Sequence, residues 1–203
     1  MNNDKWLILN NDQVQAILYR NKTQFRQVAS LPFRVGGYVK NENGKTYITS
    51  NGKLYDPTTI APYQVGDIIY VKEGWSYLNV SPEDKLGDDT YYYRADDPDI
   101  RPKRFKGTKF KPNIHMPREA ARLFLRIMSV RFEKLQDISH EDAAEEMGNK
   151  CDLPKVEFMR NWERNIKPNK IDTEGWEANP FVFVYEFERV TELKHVGKYM
   201  LIP

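Results

Sequence analysis

Lys22, Thr23 and Arg26 stand at one junction of this sequence, in QAILYRNKTQFRQV at 15–28, where a helical pattern gives way to a strand. Such groups can act on a carbonyl, hold a phosphate or simply face water. A second candidate, Glu146, lies in SHEDAAEEMG at 139–148. A lysine of depressed pKa, or a glutamate activating a water, can serve as general base. For binding without chemistry, Lys22, Arg26, Arg118 and Arg122 supply phosphate contacts, and Trp75, Tyr93 and Phe25 supply rings on which a base can stack.

Each of these residues has a structural alternative. In VGDIIYVKEGW at 65–75, strand alternation puts Ile69, Val71, Glu73 and Trp75 on the more apolar face. Trp75 there can be core, and Glu73 is either a buried partner for a basic side chain or an acid in a pocket. Arg118 can pair with Glu73 or Glu119 instead of a ligand, and His115 can be a structural hydrogen-bonder.

The elements that must position these groups are short. Val14, Ile17 and Leu18 at i, i+3 and i+4 predict a helix over 12–20, capped by Asn11 or Asp12 and ended by a left-handed Asn21. Residues 33–63, rich in Gly, Asn, Tyr and Pro, predict a hairpin insertion with turns at NENGK and TSNGK around TYIT. TYYYRAD reads as a strand inside a long excursion at 79–111 that ends in the basic loop RPKRFKGTKFKP and is expected to be mobile. RLFLRIMSVRFEKL at 122–135 favours strand over helix, because Leu123, Leu125 and Ile127 alternate. Ser139 as N-cap, Asp142 three residues on and Gly148 as stop predict a helix of about two turns. On its wheel Ala143, Ala144 and Met147 face inward, Glu145 points away, and Glu146 lies at the edge of the inner arc. A further helix over 154–166 carries Val156, Met159 and Trp162, and NPFVFVYEFERV closes the chain as a strand with Phe181, Phe183, Tyr185 and Phe187 on one face.

The 203 residues, 40% hydrophobic and 30% charged, suit one globular domain over 1–203. A net charge of +2 conceals segregation. Residues 101–126 hold nine Lys or Arg against Glu119 alone, 20–40 hold five and no acid, and 131–148 hold two against six acids. Two basic zones can converge on one polyanion, or be solvated faces. The single cysteine, Cys151, excludes an internal disulfide and a thiolate cluster, and His115, His140 and His195 are scattered, so neither metal nor cofactor is expected. The longest apolar runs, FVFVY and LFL, fall far short of the roughly 20 residues of a membrane span. The N-terminal MNNDKWLILNND has neither the basic start nor the long apolar stretch of a secretory signal. A cytoplasmic protein without a membrane partner is expected.

Helix, strand, hairpins, strand, long loop, strand, two helices and strand make an α+β order whose sheet is expected to curl into a small barrel. GDIIYVKEGW, YYYRAD, KPNIHMPREAARLFLRIMSVRFEKLQDIS, EDAAEEMG and WEANPFVFVYEF, in that order over some 180 residues, resemble the long ASCH-domain proteins of bacteriophages and prophages. AILYRNKTQFRQV resembles their signature of a helix running into Lys-Thr-x-x-Arg. The resemblance implies a PUA-like β-barrel flanked by short helices. It also implies RNA or a modified nucleotide or nucleoside as ligand, in a cleft between the N-terminal helix and the 139–148 helix, in the cytoplasm of a bacterial host. Some small bacterial ASCH proteins remove the acetyl group of N4-acetylcytidine with a lysine, a threonine and a glutamate. The lysine falls on Lys22 and the glutamate on Glu146, but the threonine position is Phe25, and Gln27 replaces the second of two paired arginines. Three readings are open: a binder of RNA or nucleotide through Lys22, Arg26, Glu73, Trp75, Tyr93, Arg118 and Arg122; a hydrolase acting on a modified nucleoside or on RNA through Lys22, Glu146 and Thr23; and a phage factor that docks on a host protein through the 79–111 excursion.

Overall fold

The computed structural model describes residues 5–41, 43–77, 91–96, 109–148, 152–191, 194–196 and 199–201. In chain order they form β1 (Trp6–Ile8), α1 (Asn11–Tyr19), β2 (Gln24–Val28), β3 (Gly37–Lys40), β4 (Thr46–Ser50), β5 (Lys53–Tyr55), β6 (Ile68–Lys72), β7 (Trp75–Tyr77) and β8 (Tyr91–Tyr93). Next come β9 (Phe124–Lys134), α2 (His140–Met147), α3 (Pro154–Asn165), α4 (Ile171–Glu174), β10 (Phe181–Arg189), β11 (Lys194–Val196) and β12 (Tyr199–Leu201). The class is α+β, as the element order predicts. Cys151 and most of the 79–111 excursion, including its basic loop up to residue 108, lie outside the described residues. Among the described residues no helix is long and apolar enough to cross a membrane.

Two compact units emerge, each assembled from separated stretches of chain. The first comprises Met1–Arg20, Ile68–Leu125 and Arg189–Pro203, and the second Asn21–Asp67 and Arg126–Glu188.

In the first unit β1 runs parallel to β6, with Leu7 opposite Val71, and the carbonyl of Leu123 accepts from the Val71 amide at 2.9 Å. Helix α1 starts one residue earlier than its apolar spacing implies. Asn10 caps it, because the Asn10 carboxamide accepts from the Gln13 amide and the Gln13 side chain returns to the Asn10 N–H. The strand expected over 65–75 is broken at Glu73 and Gly74. The Glu73 amide turns to the Met116 sulfur at 3.2 Å, and the Gly74 carbonyl accepts from Arg94 at 2.7 Å. A Cβ on Gly74 would stand 3.1 Å from that of Arg94, so this crossing favours glycine. Beyond the break β7 pairs with β8 as a separate ribbon, Trp75 opposite Tyr93 and Tyr77 opposite Tyr91. Tyr70, Trp75, Met116, Ala120, Ala121 and Phe124 form one apolar cluster of this unit.

In the second unit the order of strands is β9-β10-β2, and β10 and β2 are antiparallel with Tyr185 opposite Phe25 and Val184 opposite Arg26. Strand β10 is buried on both faces, by Phe183, Tyr185 and Phe187 on one and Val182 and Val184 on the other. The hairpin insertion takes its expected form, a three-stranded β3-β4-β5 sheet whose Asn51–Gly52 turn has φ of 50° and 72°. Helix α2 has the predicted ends: the Ser139 hydroxyl accepts from the Asp142 amide, and Gly148 is left-handed at φ 64°. In α3 Pro154 and Phe158 are buried, and Met147, Trp162 and Trp176 pack around the core that Phe158 joins. Val156, Met159 and Trp162, expected to form its apolar stripe, are only half-buried. Among the described residues the strands fall into four open sheets rather than the expected curled barrel. The three-residue β1 and the interruption of the strand at Glu73–Gly74 leave too few ladder positions for closure.

Candidate functional site

The junction at residues 21–26 is built by backbone geometry first. Asn21 takes the left-handed conformation expected of it, φ 58°, and turns the chain from α1 towards β2. Thr23 is then held from two sides, its amide donating to the Glu145 carbonyl at 3.3 Å and its own carbonyl accepting from Phe187 at 2.9 Å. From Gln24 onward the pleat alternates: Gln24 and Arg26 meet α2, while Phe25 turns to the opposite face.

Glu146 is the centre of the polar cluster formed where β2 meets α2. The Lys22 ammonium donates to its carbonyl at 2.6 Å and lies 3.9 Å from its Oε1. The Arg26 amide donates to Oε1 at 3.0 Å, and Arg26 Nη1 pairs with Oε2. Arg26 Nη2 reaches Glu133 at 2.9 Å and Asp142 at 3.4 Å, and the guanidinium lies 5.5 Å from the centre of the Phe158 ring. Gln24 Nε2 donates to Asp142 at 3.0 Å and to Glu145 at 2.6 Å. Arg131 closes the outer side, 3.2 Å from Asp142, 3.7 Å from Glu133 and 3.4 Å from Glu186.

Burial orders this cluster into two layers. The Arg26 side chain is 0% exposed and that of Glu146 9%, with Lys22 and Gln24 equally deep. Thr23 and Glu145 are exposed, their side chains 3.5 Å apart, and Arg131 and Glu186 are partly open to solvent. Burial works against the Arg26 charge, but Glu146 and Glu133 outweigh it and hold the guanidinium above its ordinary value. Burial likewise pushes Asp142 up, yet the Gln24 hydrogen bond and the charges of Arg131 and Arg26 prevail and leave it below the usual carboxylate range. Lys22 and Arg26, read from the sequence as phosphate contacts, are therefore turned inward onto carboxylates, and the surface they leave is made by Thr23, Glu145, Arg131 and Glu186.

Phe25 is core. Its ring stacks on Tyr185 at 4.8 Å and meets Phe187 at 5.9 Å and Tyr63 at 6.1 Å. It is no platform for a base, and a threonine at this position would face that aromatic cluster rather than Glu146. The Thr23 hydroxyl donates to Glu145, not to the glutamate selected by the helix wheel. Gln24, Arg131, Glu133, Asp142 and Glu186 were absent from the sequence reading of the site. The i, i+2 spacing of Gln24 with Arg26 and of Arg131 with Glu133 carried a signal for three of them, since alternate residues share a strand face.

The remaining candidates belong to the first unit. Glu73, fully buried, is held in bidentate fashion by Arg122 at 2.8 and 2.9 Å, and Arg122 also reaches Asp96 at 2.5 Å. The Arg122 guanidinium stacks on Tyr93, 3.9 Å from the ring centre, and the Tyr93 hydroxyl donates to the Ala120 carbonyl at 2.7 Å. Burial opposes the Arg122 charge, but Glu73 and Asp96 hold it above its ordinary value. The basic partner of Glu73 is thus Arg122, which spends its planar fork on protein carboxylates. Trp75 is buried core, as its apolar strand implies, with the Lys111 ammonium 4.9 Å from its ring centre. Arg118 opens the short turn Arg118–Ala120 and is half-buried, and His115 is exposed.

No family model matches the chain, and neither a curated protein nor a solved structure matches it.

Proposed function

We propose that this protein is a PUA-like module of the ASCH type, of phage or prophage origin, that binds RNA or a modified nucleotide at the outer layer of the Lys22–Arg26–Glu146 cluster. One observation carries the reading. The lysine and glutamate that the resemblance selects, 124 residues apart, come together in a buried polar cluster, the Lys22 ammonium donating to the Glu146 backbone carbonyl at 2.6 Å and lying 3.9 Å from its carboxylate, and Arg26 of the same signature clasps that carboxylate. Buried ion networks are expensive unless fully partnered, and this one rigidly fixes the strand to the acidic helix. In this reading Lys22, Arg26 and Glu146 are positioning residues. Thr23, Glu145, Arg131 and Glu186 face the ligand.

Five carboxylates surround three cations in this cluster, so a phosphate alone is a poor fit. The donors of a base edge, offered to Glu145 and Glu186 beside the Arg131 fork, fit better. The test is calorimetric titration of the full chain with the four ribonucleoside monophosphates and with N4-acetylcytidine. At least one is expected to bind, about three- to tenfold more weakly in Thr23→Ala and Arg131→Gln, the effect of one lost hydrogen bond. Absence of binding at millimolar ligand, or variants that bind as the parent does, overturns the reading.

The Lys22–Glu146 approach also supports a second reading, hydrolysis of a modified nucleoside. Its weak point is the nucleophile, because position 25 is apolar core and Thr23 is turned to another carboxylate. Incubation with N4-acetylcytidine at high protein concentration, followed by chromatography, decides it: no cytidine formed excludes this chemistry.

A further inference from the structure

Charge is divided between the two units. The three segments of the first hold 16 Lys or Arg against 12 Asp or Glu, whereas those of the second hold 15 against 17. The excess of positive charge lies with the unit that does not contain the Glu146 cluster.

That same unit carries a band of aromatic rings with cations set over them. In the parallel pair β1 and β6, Trp6 lies opposite Tyr70 and Ile8 opposite Lys72, so these four share one sheet face. Trp6 is 40% exposed, an unusual situation for the largest apolar side chain. The Lys72 ammonium sits 4.8 Å from the Trp6 ring centre and 5.9 Å from that of Tyr70, and donates to the Ile114 carbonyl at 3.2 Å. Tyr70 and Trp75 belong to one apolar cluster. From Trp75 the rings continue to Tyr91 at 5.9 Å and on to Tyr77 at 5.5 Å, and Tyr77 is 42% exposed. Lys111 lies over Trp75, tied to it by backbone hydrogen bonds in both directions, 2.7 and 3.5 Å. Arg122 pairs with both Glu73 and Asp96 and leaves one net negative charge there, and Glu119 acts on Tyr91, so the positive field of the band is local to Lys72 and Lys111.

We propose that this band, from Trp6 through Lys72 and Lys111 to Tyr77, is a binding track for single-stranded nucleic acid, separate from the nucleotide site of the second unit. Exposed rings at both ends offer faces on which unpaired bases stack, and the ammonium groups between them meet backbone phosphates. A duplex hides the base faces that Trp6 and Tyr77 would contact. An acidic peptide would meet the cations but bring no base to stack on the exposed ring surface of Trp6 and Tyr77. Stacking on Trp and Tyr tolerates any base, so the track selects strandedness rather than sequence.

The track shares with the nucleotide site only the class of ligand, and one experiment separates the two. Fluorescein-labelled 12-mers of U and of dT are titrated with the full chain by anisotropy at several salt concentrations, with a 12-base-pair duplex as third arm. Both single strands are expected to bind more tightly than the duplex. Trp6→Ala and Tyr77→Ala should each weaken single-strand binding about tenfold, and Trp6→Phe should retain most of it. Lys72→Gln and Lys111→Gln should each lower the slope of log affinity against log salt by about 0.7. Trp6→Ala should leave mononucleotide binding as in the parent, whereas Arg131→Gln weakens it. Equal affinity of Trp6→Ala, Trp6→Phe and parent for the 12-mers, or tighter binding of the duplex, overturns the track. Loss of 12-mer binding in Arg131→Gln alone overturns it while sparing the nucleotide site.

Discussion

Removing the guanidinium of Arg26 should be the most damaging single change in the second unit. Arg26→Met keeps an aliphatic side chain of similar length and deletes the guanidinium that lies over Phe158 and carries the charge shared by Glu146, Glu133 and Asp142. Those carboxylate side chains are between 9 and 17% exposed, so solvent cannot replace the lost partner. Breaking a buried pair from one side costs about 3–5 kcal/mol. For a chain of this size each kcal/mol lowers the melting temperature by roughly 2–4 °C, giving a fall of about 6–20 °C. The double change Arg26→Met with Glu146→Leu should be less damaging than the sum of the two single changes, by about 0.5–3 kcal/mol, because the second substitution removes a carboxylate that the first left stranded. Tryptophan fluorescence can follow the right part of the molecule: Trp162 and Trp176 pack with Phe158, whereas Trp6 and Trp75 belong to the first unit. Urea unfolding at pH 7 in a Trp6→Phe, Trp75→Phe background therefore reports the cluster. A loss below about 1 kcal/mol in Arg26→Met, or strict additivity in the double variant, would refute the claim that a desolvated ion network locks β2 to α2.

Two more expectations concern the same unit. The folded-state pKa of Asp142 lies below its unfolded value, so its contribution to stability is complete above about pH 4, the ordinary aspartate range, and is lost as pH falls through the lower folded value. Asp142→Asn should flatten that part of the acid-unfolding profile between about pH 5 and 2, and a profile identical to the parent's would contradict the assignment. Phe25→Thr restores the residue type that the resemblance expects, yet it should confer no release of acetate from N4-acetylcytidine and should cost about 3–5 kcal/mol of stability, since it empties a stacked aromatic site. Appearance of hydrolysis in that variant would show that position 25 can reach Glu146.

Much of the local architecture is legible in spacing alone. Ser139 and Gly148 bracket α2 because a hydroxyl before the first turn and a residue free to adopt positive φ after the last are local requirements. Asn21 obeys the same rule at the end of α1, and Asn51–Gly52 the rule of the tight hairpin. Glu146 could be marked for burial from its angle on the wheel, and Glu73 from its place on an apolar strand face, and both are buried. The break at Gly74 was hidden, because an uninterrupted alternation says nothing of the Arg94 backbone arriving from outside the strand.

What the amino-acid order determined by itself is that Glu146, by helical phase, and Glu73, by alternation, would be drawn towards the interior, and that Gln24 and Arg26 would share one strand face; that this face is buried was decided by α2 packing on it. Which partner each would find was decided only in three dimensions. Arg26 chose Glu146 across 120 positions, and Glu73 took Arg122 rather than Arg118 as its bidentate partner. The reason is physical. Side-chain direction follows from the backbone repeat of a few neighbouring residues, but a buried charge is stabilised by whichever opposite charge the fold delivers within about 3–4 Å in a place that water cannot reach.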